Sequence, residues 1–387
     1  MKTDLLGPAL CVFLAVMVPA CGDPPEVKAP PPPVPVEAPP ATTPPPPVEA
    51  PKPPEPTAEE KKKAEQVKAL AADRAASEAD HKKEVARWTP ELHAEAKALA
   101  DKTFPNGKAA IQAAMASKTR QPGHADRDKY RHPAETLDFF GFKPTLTVLE
   151  FGPGEGWYTE LLAPALAKKG KLLATSSDPN GPADERSSYY GHVFKMFLDT
   201  SPELYGKVET VTIDGKAPKL PQEGTVDLVI LARELHGMVN SGKIDAWLGE
   251  FNKALKPNGV LGVEQHRAKA DANVEESSKK GYLPEKWVIE KVEAAGFKLA
   301  GKSELNANAK DTKDYPDGVW TLPPSLRNGD KDKDKYTAIG ESDRMTLKFT
   351  KAAKPAPKTD KPAAATPPAK PATTATPATP ATPAKKP

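Results

Sequence analysis

The stretch Val148-Leu149-Glu150-Phe151-Gly152-Pro153-Gly154-Glu155-Gly156-Trp157-Tyr158 constrains this chain more than any other. Residues 145–151 form a short apolar run with β-branched members, and 157–168 carry helical spacing, so the three glycines fill a strand-to-helix turn. Glycine at 152, 154 and 156 lets the backbone fold back tightly and lets a ligand approach the amides, while the following helix offers its positive N-terminal end. Such a turn cradles a nucleotide. Turns with several glycines also serve purely structural ends, so the assignment needs support from the rest of the chain.

That support begins with alternation. Further strands are predicted at 171–175, 208–213, 226–231, 259–264, 297–303 and 345–350, separated by helices at 187–198, 243–255 and 285–295, with another helix at 134–140 before the glycine turn. Strand followed by helix, repeated, implies a parallel sheet covered on both faces. The last two strands, joined by a long polar connection, suit an antiparallel pair at one edge.

The 46 prolines in 387 residues are unevenly placed, with 17 in 24–56 and 10 in 351–387. Both ends therefore read as tails, and the core between them is long enough for one buried α/β domain. Residues 1–20 carry Lys2, an apolar run over 5–18 and then Val18-Pro19-Ala20 before Cys21, the pattern of a lipoprotein signal peptide. Cys11 and Cys21 are the only cysteines, so cleavage before Cys21 leaves one thiol, at the new N-terminus, available for lipidation. The Pro-rich linker 21–56 favours polyproline II and reaches roughly 100 Å if fully extended. Segment 57–120 reads as helical, with Thr57 and Glu60 forming a capping box and Thr89-Pro90-Glu91 opening a second helix. Residues 352–387 form a tail of Ala, Thr, Pro and Lys.

The spacing of the turn, E-x-G-x-G-x-G, matches the first motif of class I S-adenosylmethionine-dependent methyltransferases. Together with Arg131-His132-Pro133-Ala134-Glu135-Thr136-Leu137, Phe139-Phe140-Gly141, Lys143-Pro144, Glu234-Leu235-His236 and Glu264-Gln265-His266, it resembles a bacterial family of predicted methyltransferases over roughly residues 126–351. The resemblance implies a Rossmann-like class I methyltransferase sheet over 121–351, with S-adenosylmethionine as cofactor. It also implies that the segment around Arg131 and His132 folds over the nucleotide site as a lid, with both facing a ligand carboxylate or serving as caps.

Ligands of open parallel sheets sit beyond the carboxyl ends of the strands. The cofactor-binding candidates are accordingly Glu150, Gly152, Gly154 and Gly156 after the first strand, Asp178 after the second and Asp214 after the third. By resemblance Glu150 serves the amino-acid part of the ligand, Asp178 the ribose hydroxyls and Asp214 the adenine. Asp178 lies two or three residues late, before Pro179-Asn180-Gly181, and Asp214 precedes Gly215, so each is equally a turn former. The catalytic candidates are His236, His266 and Glu264 at the ends of the fourth and fifth strands. Methyl transfer needs a base only for a protonated nucleophile, and histidine suits that role near neutral pH. The two histidines with Glu234 or Glu264 also form a possible metal set, and each is equally a candidate structural residue.

Net charge is +3, but 351–387 holds seven lysines and one aspartate, +6, which leaves about −3 for the remainder. A nucleic-acid surface is therefore not expected on the core. The expected substrate is a small molecule or an envelope component, and the expected location is the cell envelope, through lipidated Cys21. An exported chain lies where S-adenosylmethionine is not expected to be supplied. This conflict sets a second reading beside methyl transfer: a non-catalytic envelope-binding module on a methyltransferase fold.

Overall fold

Seven strands form one sheet in a computed structural model that describes residues 57–352. The expected signal peptide, Cys21, the Pro-rich linker and the tail from 353 onward lie outside the described residues. The strands are β1 (Thr147–Phe151), β2 (Lys171–Ser176), β3 (Glu209–Thr212), β4 (Val226–Ala232), β5 (Leu255–His266), β6 (Phe297–Ser303) and β7 (Arg344–Lys351). Their spatial order is β3-β2-β1-β4-β5-β7-β6. The first five run parallel, and β7 lies antiparallel between β5 and β6. This is the Rossmann-like, class I methyltransferase arrangement, with the antiparallel edge expected from the last two strands.

The inner part of the sheet is buried on both faces because its strands are largely apolar, whereas the edge strands β3 and β6 are largely exposed. Successive side chains point to opposite faces. Val148, Leu172, Leu228 and Ile230 meet Ile111, Phe140, Leu161 and Phe194 on one face. On the other, Leu149, Leu173, Val229, Leu261 and Leu347 meet Trp247, Leu248 and Phe251. The register that sets these rows pairs Val148 with Leu172 on one side and with Leu228 on the other. The helix Ile244–Ala254 turns Trp247 and Phe251 toward the sheet, where their rings lie 4.8 and 5.0 Å from that of Phe151. Each such side chain stabilises the fold by roughly 1.5–3 kcal/mol on burial. Their packing also holds the end of β1, one residue before the glycine turn.

The capping box of Thr57 and Glu60 opens a 30-residue helix, Ala58–Arg87, of which only Leu70 is buried. It docks through polar contacts instead. Arg74 donates to the Ala183 carbonyl and to Ser188 Oγ, Ser77 meets the Tyr189 hydroxyl, and Asp73 pairs with Arg186 on the helix Arg186–Asp199.

The connection from β6 to β7 differs from the plain polar loop its composition suggests. Tyr315, Leu322 and Tyr336 build a small core of their own. Asp311 accepts from the Tyr282 hydroxyl at 3.1 Å and from the backbone amides of Lys313 and Asp343. So anchored, the connection roofs the carboxyl ends of β4 and β5.

Candidate functional site

Chain direction decides where a site forms. From β1 the chain steps outward to β2 and β3, then returns to the other side of β1 for β4 and β5, so loops diverge beyond β1 and β4 and leave a crevice. A cavity of about 840 Å³ occupies it, near the upper end of the ~300–1,000 Å³ range of small-molecule sites. Gly152, Pro153 and Gly154 line it from β1, Thr175 to Ser177 from β2, and Arg233, Glu234 and His236 from β4. His266 enters from β5, Glu341, Ser342 and Arg344 from around the start of β7, Arg131 from the N-terminal side and Trp320 from the roof.

The three glycines of the turn have positive φ of 67°, 58° and 85°, but they serve different ends. At Gly152 a β-carbon would come within 2.7 Å of Glu234 Cδ. Gly154 faces open space, and a β-carbon there would meet nothing within 4 Å. Gly156 does not line the cavity, and its bare α-carbon packs on the Phe197 ring. Two turn amides are engaged inside the protein, Gly152 N with Thr175 Oγ1 and Gly156 N with the Pro153 carbonyl, both at 3.0 Å. Of the three, Gly154 is the one presented to a ligand.

Glu150 lies beneath the turn, 3% exposed, and accepts a hydrogen bond from Thr159 Oγ1 at 2.7 Å. Burial pushes its carboxyl up to about 7. It supports the first turn of the helix Thr159–Leu166 and does not line the cavity. Asp178 and Asp214 are exposed and also lie outside the lining; their carboxylates accept from the backbone amides of Asn180 and Lys216, closing local Asx turns. The wall at the end of β2 is made by the hydroxyl residues Thr175, Ser176 and Ser177 instead.

At the end of β4, Arg233 adopts φ 64°, uncommon for a residue other than glycine and of the kind found at functional sites. Its backbone amide donates to the Glu264 carbonyl at 2.6 Å and its Nη1 to Glu264 Oε1 at 3.2 Å, so its side chain leans toward β5. Glu234, the next residue, goes the other way and lies over Gly152. Its carboxylate has no hydrogen-bond partner among the described residues, and burial pushes its pKa up to about 7 against the pull of Arg233.

Glu264 is 1% exposed and stands behind the cavity wall. It accepts from the Tyr158 hydroxyl at 2.9 Å, and Arg344 Nε lies 2.9 Å from Oε1, a charge contact whose angle falls outside hydrogen-bond geometry. Burial alone would raise its pKa, but Arg233, Arg344 and Arg131 reverse this and hold it below the usual carboxylate range. Glu341 ties Arg131, through Nε at 3.0 Å, to Arg344. The guanidinium of Arg131 stacks 4.7 Å over the Trp157 ring. Burial and the neighbouring Arg233 draw its pKa down to about 10. Its neighbour His132 turns away, meeting Asn306 Oδ1 at 3.2 Å outside the cavity.

His236 and His266 both line the cavity, with ring centroids 5.9 Å apart, and Trp320 lies 5.8 Å from His236. Burial draws His236 down to about 4. Burial, then the charges of His236 and Arg344, hold His266 well below its ordinary value, and its Nδ1 lies 2.5 Å from Ser342 Oγ. Both imidazoles are therefore neutral at pH 7 and retain acceptor nitrogens. Glu264 does not face them, being engaged with arginines, and no group of three or more His, Cys, Asp and Glu placed to hold a metal occurs among the described residues.

Several residues of this site have no sequence signal. Arg344 and Glu341 lie in the return to β7, Trp320 in the roof, and Tyr190, 53% exposed at the cavity mouth, on a helix face of mixed polarity. Arg233 directly precedes the run Glu234-Leu235-His236, and only its left-handed backbone distinguishes it.

No curated protein matches the sequence. Among solved structures, an S-adenosylmethionine-dependent methyltransferase from Aquifex aeolicus is similar at 18% identity, covering 65% of this chain and 100% of that one, with a TM-score of 0.40. A second, from Methanosarcina mazei, is similar at 10% identity, covering 56% and 98%, with a TM-score of 0.38. Residues 123–288, which contain β1 to β5, the glycine turn and both histidines, match the profile of a protein family described as a methyltransferase domain.

Proposed function

We propose that the protein transfers a methyl group from S-adenosylmethionine to a small molecule or an envelope component. The observation that carries this reading is one cavity at the switch point of the sheet, bounded by the open Gly154 on one side and two neutral histidines on the other. S-adenosylmethionine supplies an electrophilic methyl on a sulfonium. The chain's residues fit it: Gly152 to Gly154 and Thr175 to Ser177 hold the nucleoside side, with Tyr190 against the base at the mouth. The unpaired Glu234 faces the ammonium of the amino-acid part. His236 or His266 offers a neutral imidazole nitrogen that accepts a hydrogen bond from an O–H or N–H nucleophile and orients it; because burial lowers both pKa values, proton removal by either is that of a weak base. Glu264 acts by holding Arg233 and Arg344 in place, and Asp178 and Asp214 shape the loops beside the ligand.

Calorimetric titration of residues 57–352 with S-adenosylmethionine and S-adenosylhomocysteine tests the reading. Micromolar binding of both supports it, and a folded protein that binds neither removes it. In that event the non-catalytic binding module leads. Two observations favour that second reading: no acidic side chain lines the wall at β2, and the amides of Gly152 and Gly156 are already engaged.

The leader at 1–20 and the single thiol left at Cys21 support attachment to a membrane by lipid, with the core held off by the Pro-rich linker. Among the described residues no helix is long and apolar enough to cross a membrane. Mass spectrometry of the N-terminal peptide from cells tests this: a diacylglyceryl thioether on Cys21 is expected, and an unmodified Met1 removes the assignment.

A further inference from the structure

The cavity has two chemically different halves, and the backbone of Arg233 divides them. Because Arg233 is left-handed, the consecutive side chains of 233 and 234 diverge: Glu234 lies over Gly152 at β1, whereas Arg233 reaches Glu264 at the end of β5. Arg344 begins β7, where its neighbour in the ladder is His266. Arg131 joins the same group through Glu341. Three guanidiniums thus meet two carboxylates, Glu264 and Glu341, on the β5 and β7 side, with Trp157 and Tyr158 from the end of the glycine turn packed against them.

The excess of one positive charge is not spread evenly. Arg344 is fully buried, its Nη1 on Glu341 and its Nη2 on the Tyr130 carbonyl at 2.7 Å, so it is a structural anchor. Arg131 is 4% exposed, yet it lines the cavity, and its two terminal nitrogens have no hydrogen-bond partner among the described residues. Arg233 offers Nε and Nη2 likewise. Neither set of nitrogens is sealed in the protein, the Arg233 side chain being 22% exposed, so both open on the cavity, where a planar oxyanion can engage two such forks at once. The neutral His236 and His266 and the indole of Trp320 complete this half.

Resting on the methyl-transfer reading, we propose that the methyl acceptor is an anion whose carboxylate, or an equivalent oxyanion, is seated by Arg131 and Arg233 beside Trp320. The same carboxylate chemistry could come from the methionyl end of the cofactor, and the experiment separates the two sources. Protein saturated with S-adenosylhomocysteine is titrated with benzoate and, as a neutral isostere, benzamide. Benzoate is expected to bind and benzamide to bind at least tenfold more weakly, with benzoate affinity falling tenfold or more in Arg131→Lys and Arg233→Gln. Lysine at 131 keeps a cation beside Glu341 and loses the fork, so a thermal melt near that of the wild type is expected for it.

S-adenosylhomocysteine affinity is expected to change less than threefold in either variant. Loss of that affinity with unchanged binding of 5′-methylthioadenosine, which lacks the amino-acid part, would assign the oxyanion to the cofactor and overturn the proposal. Equal binding of benzoate and benzamide by the wild type overturns it as well. If S-adenosylhomocysteine does not bind at all, methyl transfer fails separately, and the same two titrations on the ligand-free protein decide the anion seat.

Discussion

The carboxylate of Glu234 rests against the bare α-carbon of Gly152, so closely that a β-carbon at 152 would stand 2.7 Å from Glu234 Cδ. The end of β4 and the turn after β1 are thereby locked to one another. Gly152→Ala must displace Glu234 and adopt φ 67°, a left-handed conformation that costs roughly 1–2 kcal/mol for an L residue. A tenfold or greater loss of S-adenosylhomocysteine affinity is expected, together with a lower melting temperature. Gly154→Ala carries a similar backbone cost with nothing to displace, so its affinity loss should be the smaller of the two. Calorimetry on both variants checks the order.

Tyr190 offers a contrast, being half exposed at the cavity mouth. Tyr190→Ala is expected to weaken S-adenosylhomocysteine by about 2- to 10-fold, the ~0.5–1.5 kcal/mol of one aromatic pair. Stability should move by no more than about 0.5 kcal/mol, as for other exposed positions. Tyr190→Phe should retain the affinity, and equal affinity in the alanine variant would exclude stacking there.

Asp178 and Asp214 each close an Asx turn onto an amide two residues ahead. Asparagine preserves that turn while removing the charge. Asp178→Asn and Asp214→Asn should therefore bind S-adenosylhomocysteine within twofold of the wild type. A tenfold loss at Asp178 would instead mean that its carboxylate swings to the ribose when the ligand binds.

Removing the carboxylate at the centre of the arginine cluster leaves three guanidiniums facing Glu341 alone. Glu264→Ala is expected to destabilise the fold by about 3–5 kcal/mol, as for other broken buried pairs. Combining it with Arg344→Met should restore part of the loss, giving a coupling on the order of 1–3 kcal/mol in a double-mutant cycle read by urea unfolding.

Stability should also depend on pH through Glu150. Its pKa rises to about 7 in the fold from an unfolded value of 4.5, so the folded state holds its proton longer. The stability it contributes is fully present below pH 4.5 and is lost as the pH rises through 7. Glu150→Gln escapes that loss. Relative to the wild type, the variant should gain on the order of 3 kcal/mol between pH 4.5 and pH 8, measured by denaturant midpoints at both. His236 has the opposite sign: its folded value of about 4 lies below 6.5, so its contribution is present above pH 6.5 and is lost as the pH falls through 4.

What the sequence determined by itself is local. The alternation of apolar strands and amphipathic helices, the Thr57 and Thr89 caps and the strand-to-helix glycine turn are all periodicities or short-range bonds, and each is present where the residues imply it. The positions of His236 and His266 at strand ends were legible for the same reason. The rest was decided by tertiary structure. Arg131 and Glu341 stand 210 positions apart and meet only because β7 inserts between β5 and β6, an ordering that no periodicity encodes. The glycine turn was read as a set of free amides, yet Thr175 from the neighbouring strand takes up the first of them. Asp178 and Asp214 were ambiguous because a carboxylate before a tight turn satisfies a local amide as readily as a ligand, and only the closed turn distinguishes the two. Long polar side chains choose partners after the strands are ordered, since the Coulomb and hydrogen-bond energies that select them depend on distance in space and not along the chain.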